Sequence, residues 1–280
     1  MVLVVVDVRA RRYRGTRMQR VILQLLRCPR CRRGGLAPER DTPEVVFGPL
    51  LCSECHASYP VTEGVADLVL EAAAPALAQR GMEQRLIARS YERYVRPALQ
   101  RALAAPPLDR DSEYLLYRSL LGQPEAPVLD LGTGTGVFAR RLVREPDMPP
   151  VVGMDVSRAM LEEAVDQGHE AGVRVDYLRA EAPYLPFQDG SLGAVLLAHS
   201  LHFISDLGKL LLEVHRVLRP GGRFVASTWM PPGRASSFVQ RRAGLHPREE
   251  EDLKHALSAA GLTGFARLRL PPLLVVKAVR

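Results

Sequence analysis

Apolar positions fall into short strand-like runs in the second half of the chain, with helical stripes between them. Residues 128–131, 151–154, 193–198 and 223–227 are apolar runs bounded by turn residues, the pattern of buried strands. A helix is expected over 137–144, directly after a glycine-rich turn. Another is expected over 206–219, where Leu207, Leu210, Leu211, Val214, Val217 and Leu218 recur at helical spacing. Pro247 with the acids 249–252 marks a further helix start, acids at the positive end of the dipole, and Gly261 its stop. Residues 264–270 and 273–279 read as a terminal hairpin. The alternation of strand and helix predicts an α/β arrangement.

The first half is less regular. Met18 opens a helical lead-in over 19–26, and 59–61 with 64–68 reads as two short strands around a turn. An Ala/Pro-rich hinge follows at 71–79. A helix over 82–103 carries Leu86, Tyr91, Tyr94, Val95, Ala98 and Ala102 at near-helical spacing and ends at Pro106-Pro107; a second helix runs over 110–121. Arg85, Arg89, Arg93 and Arg96 line up along the first of these, either as a solvated face or as a stripe for phosphate or an acidic substrate.

Composition narrows the class. With 280 residues, 47% hydrophobic and 25% charged, the chain is globular rather than disordered or collagen-like, and its length suits one large domain plus a small module. No apolar run approaches the roughly 18–20 residues of a membrane span, so no membrane partner is expected. The net charge of +7 invites a nucleic-acid reading. Residues 1–17, however, hold Arg9, Arg11, Arg12, Arg14 and Arg17 against Asp7 alone, and the rest is nearly balanced. This segment is either a basic arm or an upstream extension before a start at Met18. Its apolar stretch precedes its arginines, the reverse of a secretory signal, and a cytoplasmic chain with reduced thiols is expected.

All four cysteines fall in one pattern, Cys28-Pro-Arg-Cys31 and Cys52-Ser-Glu-Cys55. Each CxxC turn brings two thiolates to one ion, and two turns complete a tetrahedral shell, so Cys28, Cys31, Cys52 and Cys55 are expected to hold zinc. Two disulfides are the competing reading, disfavoured by the spacing and a reducing setting. With every thiol claimed, no cysteine nucleophile is left, which excludes 5-methylation of cytosine by a covalent cysteine.

The strand at 128–131 enters Gly132-Thr133-Gly134-Thr135-Gly136. Glycines here let the backbone approach a ligand and turn a helix N-terminus toward it. The GxGxG spacing differs from the dinucleotide GxGxxG. Asp130, two residues before the first glycine, would repel a pyrophosphate but welcome the ammonium of a methionyl tail. Asp155, ending the next strand, is placed to accept both hydroxyls of a ribose.

On these motifs, residues 128–228 resemble a class I S-adenosylmethionine (SAM) dependent methyltransferase of the type 11 group, and 26–70 resembles the zinc ribbon of the Trm112-like group. The resemblance implies an α/β, Rossmann-like seven-stranded sheet flanked by helices, with a small N-terminal zinc-ribbon module. It divides the chain into a basic extension (1–25), ribbon (26–70), linker and helical cap (71–126) and methyltransferase domain (127–280). It implies SAM contacts from Gly132, Thr133, Gly134 and Gly136, apolar cover of the adenine by Val156 and Met160, and adenine contacts from Glu181 and the Ala182 N–H. His199 is counted with these at the end of the fourth strand. Glu181 stands where the family usually has Asp, and Gly193 replaces a common acid.

The acceptor must come past the ends of the fourth and fifth strands, near His199, Ser200, His202, Phe203, Trp229 and Met230, under Tyr91 and Tyr94. His202 is the candidate general base for an O- or N-acceptor; packing is its alternative role. No Asn/Asp-Pro-Pro-aromatic motif follows the strand, which argues against exocyclic amines of DNA bases. The first functional reading is a small-molecule methyltransferase. The alternatives are an RNA methyltransferase of the ribosomal guanine-N1 kind that grips RNA through its ribbon, and a non-catalytic SAM-binding regulator.

Overall fold

The computed structural model describes residues 18–40, 42–70, 84–98, 109–230 and 244–280. Its first part runs β1 (Met18–Gln19), α1 (Arg20–Leu23), β2 (Leu36–Pro38), β3 (Glu44–Val45), β4 (Gly48–Cys52), β5 (Ser58–Thr62) and β6 (Val65–Asp67). Helix α2 (Arg85–Ser90) continues through a π turn at Tyr91–Val95, and α3 (Arg110–Leu121) follows. Strand and helix then alternate: β7 (Val128–Leu131), α4 (Val137–Leu142), β8 (Val151–Asp155), α5 (Arg158–Glu170), β9 (Asp176–Arg179), β10 (Leu192–Leu197), α6 (Leu207–Val217) and β11 (Leu218–Trp229). The chain closes with α7 (Glu250–Ala259), β12 (Thr263–Leu270) and β13 (Leu273–Val279). The expected basic arm at 1–17 and hinge at 71–79 lie outside the described residues, as do both ends of the expected 82–103 helix.

The expected seven strands are present in the order β12-β13-β11-β10-β7-β8-β9, parallel except for β13, which runs against both neighbours. The sheet does not stop there. Strand β6 pairs in parallel with β9, Val65 opposite Tyr177 and Asp67 opposite Arg179, and β5, β4 and β2 continue outward as antiparallel neighbours, making eleven strands. The N-terminal segment and the α/β part therefore share one sheet. An edge left at β9 would present a row of unpaired backbone groups, and β6 covers it.

Local sequence explains where the helices begin. The side chains of Asp109, Ser157 and Asp206 accept from the backbone N–H of Ser112 (2.7 Å), Met160 (3.3 Å) and Lys209 (3.0 Å), capping α3, α5 and α6. The predicted stripe of α6 is buried as Leu207, Leu210, Leu211, Val214 and Val217. These residues share a core with Met18, Ile22, Leu23, Leu36, Leu50 and Leu68 from the N-terminal part. The opposite core is filled by Tyr114, Tyr117 and Leu121 of α3, Phe138 and Leu142 of α4, and Leu161 and Ala164 of α5.

Two expectations are modified. The lead-in at 19–26 is helical only over Arg20–Leu23. Beyond it Leu25 and Arg27 bond the 186–188 loop instead, with Gln188 N–H on Leu25 O (2.8 Å) and Arg27 N–H on Pro186 O (3.0 Å). Met18, Ile22 and Leu23, within the stretch assigned to a basic extension, are at most 2% exposed. The replacement at Gly193 also has a physical reason. A Cβ there would stand 2.5 Å from the Ala126 carbonyl oxygen, so the close passage of the preceding backbone leaves no room for an acidic side chain.

Candidate functional site

The carboxyl ends of β7, β8, β9 and β10 open into a cavity of about 540 Å³, within the roughly 300–1,000 Å³ of small-molecule sites. In open α/β sheets this is where ligands bind. The turn after β7 forms its floor. Gly132, Gly134 and Gly136 have φ of +66°, +54° and +77°, a left-handed succession that residues with a Cβ adopt only at a cost.

Two carboxylates hold this turn, Asp130 buried and Asp155 half-buried at the cavity. Asp155 accepts the Gly134 N–H (2.9 Å) on one oxygen and the Ser157 N–H (2.9 Å) on the other, which fixes its carboxylate at the cavity wall. Burial raises its pKa against these backbone bonds. Asp130 accepts the Thr133 hydroxyl (2.6 Å) and the Ala139 N–H (3.2 Å) on a single oxygen. It is 1% exposed and does not line the cavity; it ties the turn to α4 from beneath. Its expected contact with a methionyl ammonium is not what the described geometry presents.

Of the other expected cofactor residues, Gly132, Thr133, Gly134, Asp155, Val156, Met160, Glu181, Ala182 and His199 all line the cavity. Gly136 does not; a Cβ on it would meet the Tyr177 hydroxyl at 2.4 Å, so its role is close packing behind the turn. On the acceptor side Ser200, Phe203 and Tyr91 line the cavity, whereas Tyr94 is 60% exposed and Trp229 stacks beside the His199 ring at 5.5 Å.

His202 and His199 lie three residues apart and in different surroundings. His202 is buried behind the cavity wall, its ring 4.5 Å from that of Phe203, and burial, with His199 nearby, lowers its pKa to about 4. His199 lines the cavity with φ +53°, an uncommon backbone state for a non-glycine residue. Its Nε2 is hydrogen-bonded to Glu113 and lies 3.4 Å from the Tyr117 hydroxyl. Its Nδ1 has no partner among the described residues. Glu113 is 2% exposed and also pairs with Arg96. Burial pushes Glu113 up, but the His199 bond and the Arg96 charge outweigh burial and hold it below its ordinary value.

Arg96 departs from the expected stripe. The π turn inserts one residue into the helix and carries Arg96 inward, where it is 8% exposed between Glu113 and Glu92. Arg85 pairs with Glu162 (2.7 Å), and Arg93 lies over the Tyr94 ring. Glu92, Glu113 and Arg179 belong to the site and escaped the sequence reading, while Arg96 entered it only as a member of the stripe. Only Glu113 carried a signal, sitting on the buried stripe it forms with Tyr114, Tyr117 and Leu121.

At the other end of the sheet the four cysteine sulfurs lie within 4.8 Å of one another. Cys28 and Cys55 are 3.7 Å apart and Cys31 and Cys52 3.6 Å, against about 3.8 Å for the edges of a tetrahedron with 2.3 Å metal–sulfur bonds. A disulfide requires about 2.05 Å. Backbone N–H groups of Glu54 and Cys55 point at Cys52 Sγ (both 3.4 Å), and the Tyr59 hydroxyl lies 3.1 Å from Cys28 Sγ. The cluster fits a metal ion.

Residues 129–226 match the family described as a methyltransferase domain. The strand order and glycine turn are those of the class I methyltransferase fold. The chain is 42% identical over 114 residues to the ubiquinone/menaquinone biosynthesis C-methyltransferase UbiE of Desulfotalea psychrophila, covering 40% of this chain and 46% of that protein. It is 41% identical over 105 residues to the demethylmenaquinone methyltransferase of Thermus thermophilus, covering 38% and 48%. The chain thus spans just under half the length of these curated relatives. Among solved structures, geranyl diphosphate C-methyltransferase from Streptomyces coelicolor aligns with a TM-score of 0.54 at 20% identity, over 61% of this chain and 79% of that one. The [4+2]-cyclase SpnF aligns at 0.56 and 20% identity, over 75% and 97%. At such identity these two structures share the fold.

The burial of Asp130 makes a pH-dependent prediction. Burial pushes its pKa up to about 7, above the ordinary carboxyl value of about 3.9. The native state then binds the extra proton between those values, so this group's contribution is full below about pH 4 and is lost as pH rises through 7. Asp130→Asn keeps an oxygen for both donors and removes the titration. Urea unfolding of both proteins from pH 4 to 8 should show wild type losing stability relative to the variant as pH rises; parallel profiles would contradict the assignment.

Proposed function

We propose that this chain is a SAM-dependent methyltransferase acting on a small-molecule acceptor. The observation that carries this reading is the cavity at the strand ends, with the glycine turn as floor and Asp155 fixed beside it. SAM brings its own reactive methyl group; the protein's part is to bind, orient and exclude water. Asp155 would take the ribose hydroxyls on the lone pairs its backbone bonds leave free, Val156 and Met160 would cover the adenine, and Glu181 with the Ala182 N–H would read its edge. Thr133 and Gly134 would flank the methionyl tail.

For the acceptor, the quinone-directed names of the two relatives and the apolar share of the cavity, with Leu131, Leu197, Phe138 and Phe203, favour a small quinone- or prenyl-like molecule. The first of these relatives is named a C-methyltransferase, which widens the O- or N-acceptor expected from sequence. Proton handling falls to His199 in this proposal, since it faces the cavity and is oriented by a buried carboxylate, the arrangement in which histidine accepts a proton. The cysteine cluster is read as zinc in a ribbon: four thiolates suit that ion, and a closed shell leaves no position for chemistry. No helix among the described residues is long and apolar enough to cross a membrane.

Calorimetry should show S-adenosylhomocysteine binding, weakened by Asp155→Ala by about 10- to 100-fold, as loss of hydrogen bonds to a charged group implies; unchanged affinity defeats the cofactor site. Labelled SAM offered to quinols, prenyl compounds, small phenols and total RNA should label the small-molecule fraction; label in RNA alone would favour the ribosomal-type alternative. With the labelled acceptor in hand, His199→Gln should slow turnover by roughly 10²–10⁴-fold, more than His202→Gln. The reverse order would return the base role to His202.

A further inference from the structure

The N-terminal segment meets the cofactor cavity at the end of β6, where Asp67 pairs with Arg179 and Val69 lines the wall. Asp67 ends β6, the last strand before the described chain breaks, and Arg179 ends β9 beside it. Arg179 Nη1 donates to Asp67 Oδ2 at 2.9 Å, and its Nε donates to the carbonyl of Val156 at 2.9 Å. Val156 lies between Asp155 and Ser157, in the turn that aims the Asp155 carboxylate. Arg158, the first residue of α5, also donates to Asp67 Oδ2 (3.1 Å), so one carboxylate gathers arginines from both sides of that turn. The backbone carries the same link: Leu68 N–H bonds Arg179 O at 2.8 Å, and Val69, one residue on, lines the cavity with Arg179 and Val156.

The pair is well placed to act. Asp67 and Arg179 side chains are only 16% and 21% exposed, so solvent screens their attraction less than at an open surface. A guanidinium presents its donors in a fixed fork, so holding one arm on Asp67 fixes the direction of the Nε–H on Val156. On the other side, β6 is held by β5, β5 by β4, and β4 carries Cys52 of the sulfur cluster.

Resting on the cofactor reading above, we propose that Asp67 and Arg179 are positioning residues that set the affinity for the adenosine end of SAM, so that the cysteine-bearing segment builds part of the cofactor site. Without Asp67, Arg179 loses its anchor, the Val156 carbonyl loses its fixed donor, and the 155–157 turn relaxes away from the geometry that receives ribose and adenine.

The test measures S-adenosylhomocysteine and adenosine binding to the full chain by calorimetry, with metal content determined for each preparation. Asp67→Asn and Arg179→Lys should each weaken both ligands by the same factor, roughly two- to thirty-fold for a side chain acting through a neighbour, with metal content unchanged. Arg27→Gln is the comparison: it removes a different tie between the two parts, the 2.9 Å pair with Asp189, which bonds none of residues 155–157, and should leave both affinities as in wild type. Unchanged affinity in Asp67→Asn overturns the proposal, as does an equal loss in Arg27→Gln, which would mean that docking of the segment alone matters. Failure of wild type to bind S-adenosylhomocysteine would instead overturn the cofactor reading itself.

Discussion

The candidate site depends on how a glycine turn is held still. Three glycines with left-handed backbone give the chain a path from β7 into α4, but such a stretch is entropically costly to order. Two carboxylates supply the restraint. Asp130 fastens Thr133 to the start of α4 from inside the protein, and Asp155 reaches across from the neighbouring strand to Gly134. Asp130 is buried where a charge is expensive, which makes its hydrogen bonds costly to lose. With the turn fixed, its open side becomes a floor, and the ends of β8, β9 and β10 supply the walls.

The second constraint is the pairing of β6 with β9. It converts an N-terminal segment too small to hold a core of its own into the continuation of a large sheet, and it brings Val69 to the cavity and Asp67 to Arg179 in its wall. The sulfur cluster then stands at the far end of a continuous hydrogen-bonded ladder from the cofactor wall. Metal binding at that cluster would brace β2, β4 and β5 and, through β6, the edge strand of the α/β part. The same pairing buries Met18 and Ile22 in a core shared with α6.

Much of this was readable from local pattern. The glycine turn, the four cysteines, helix 110–121, the stripe of α6 and the terminal hairpin all carry their signals within a few residues. What was hidden depends on contacts between distant parts. Nothing near Val65 announces a parallel partner at Tyr177, and Asp67 and Arg179 are 112 residues apart. A three-residue strand has no periodicity to read. The inward turn of Arg96 follows from one π turn, which shifts the helix face in a way that regular 3.6 spacing does not reveal. The acid before the first glycine was readable as a site residue, but its burial beneath the turn was not. His199 and His202 were indistinguishable as residue types; the left-handed backbone at His199 and its contact with Glu113 separate them.

The most direct measurement is a crystal structure of the chain with S-adenosylhomocysteine. The account predicts ribose hydroxyls on the Asp155 carboxylate, adenine between Val156, Met160 and Ala182, and the sulfur directed toward His199, with Asp130 still buried beneath the turn. Ligand bound away from Asp155, or a glycine turn rearranged so that Asp130 reaches the ligand, would contradict it.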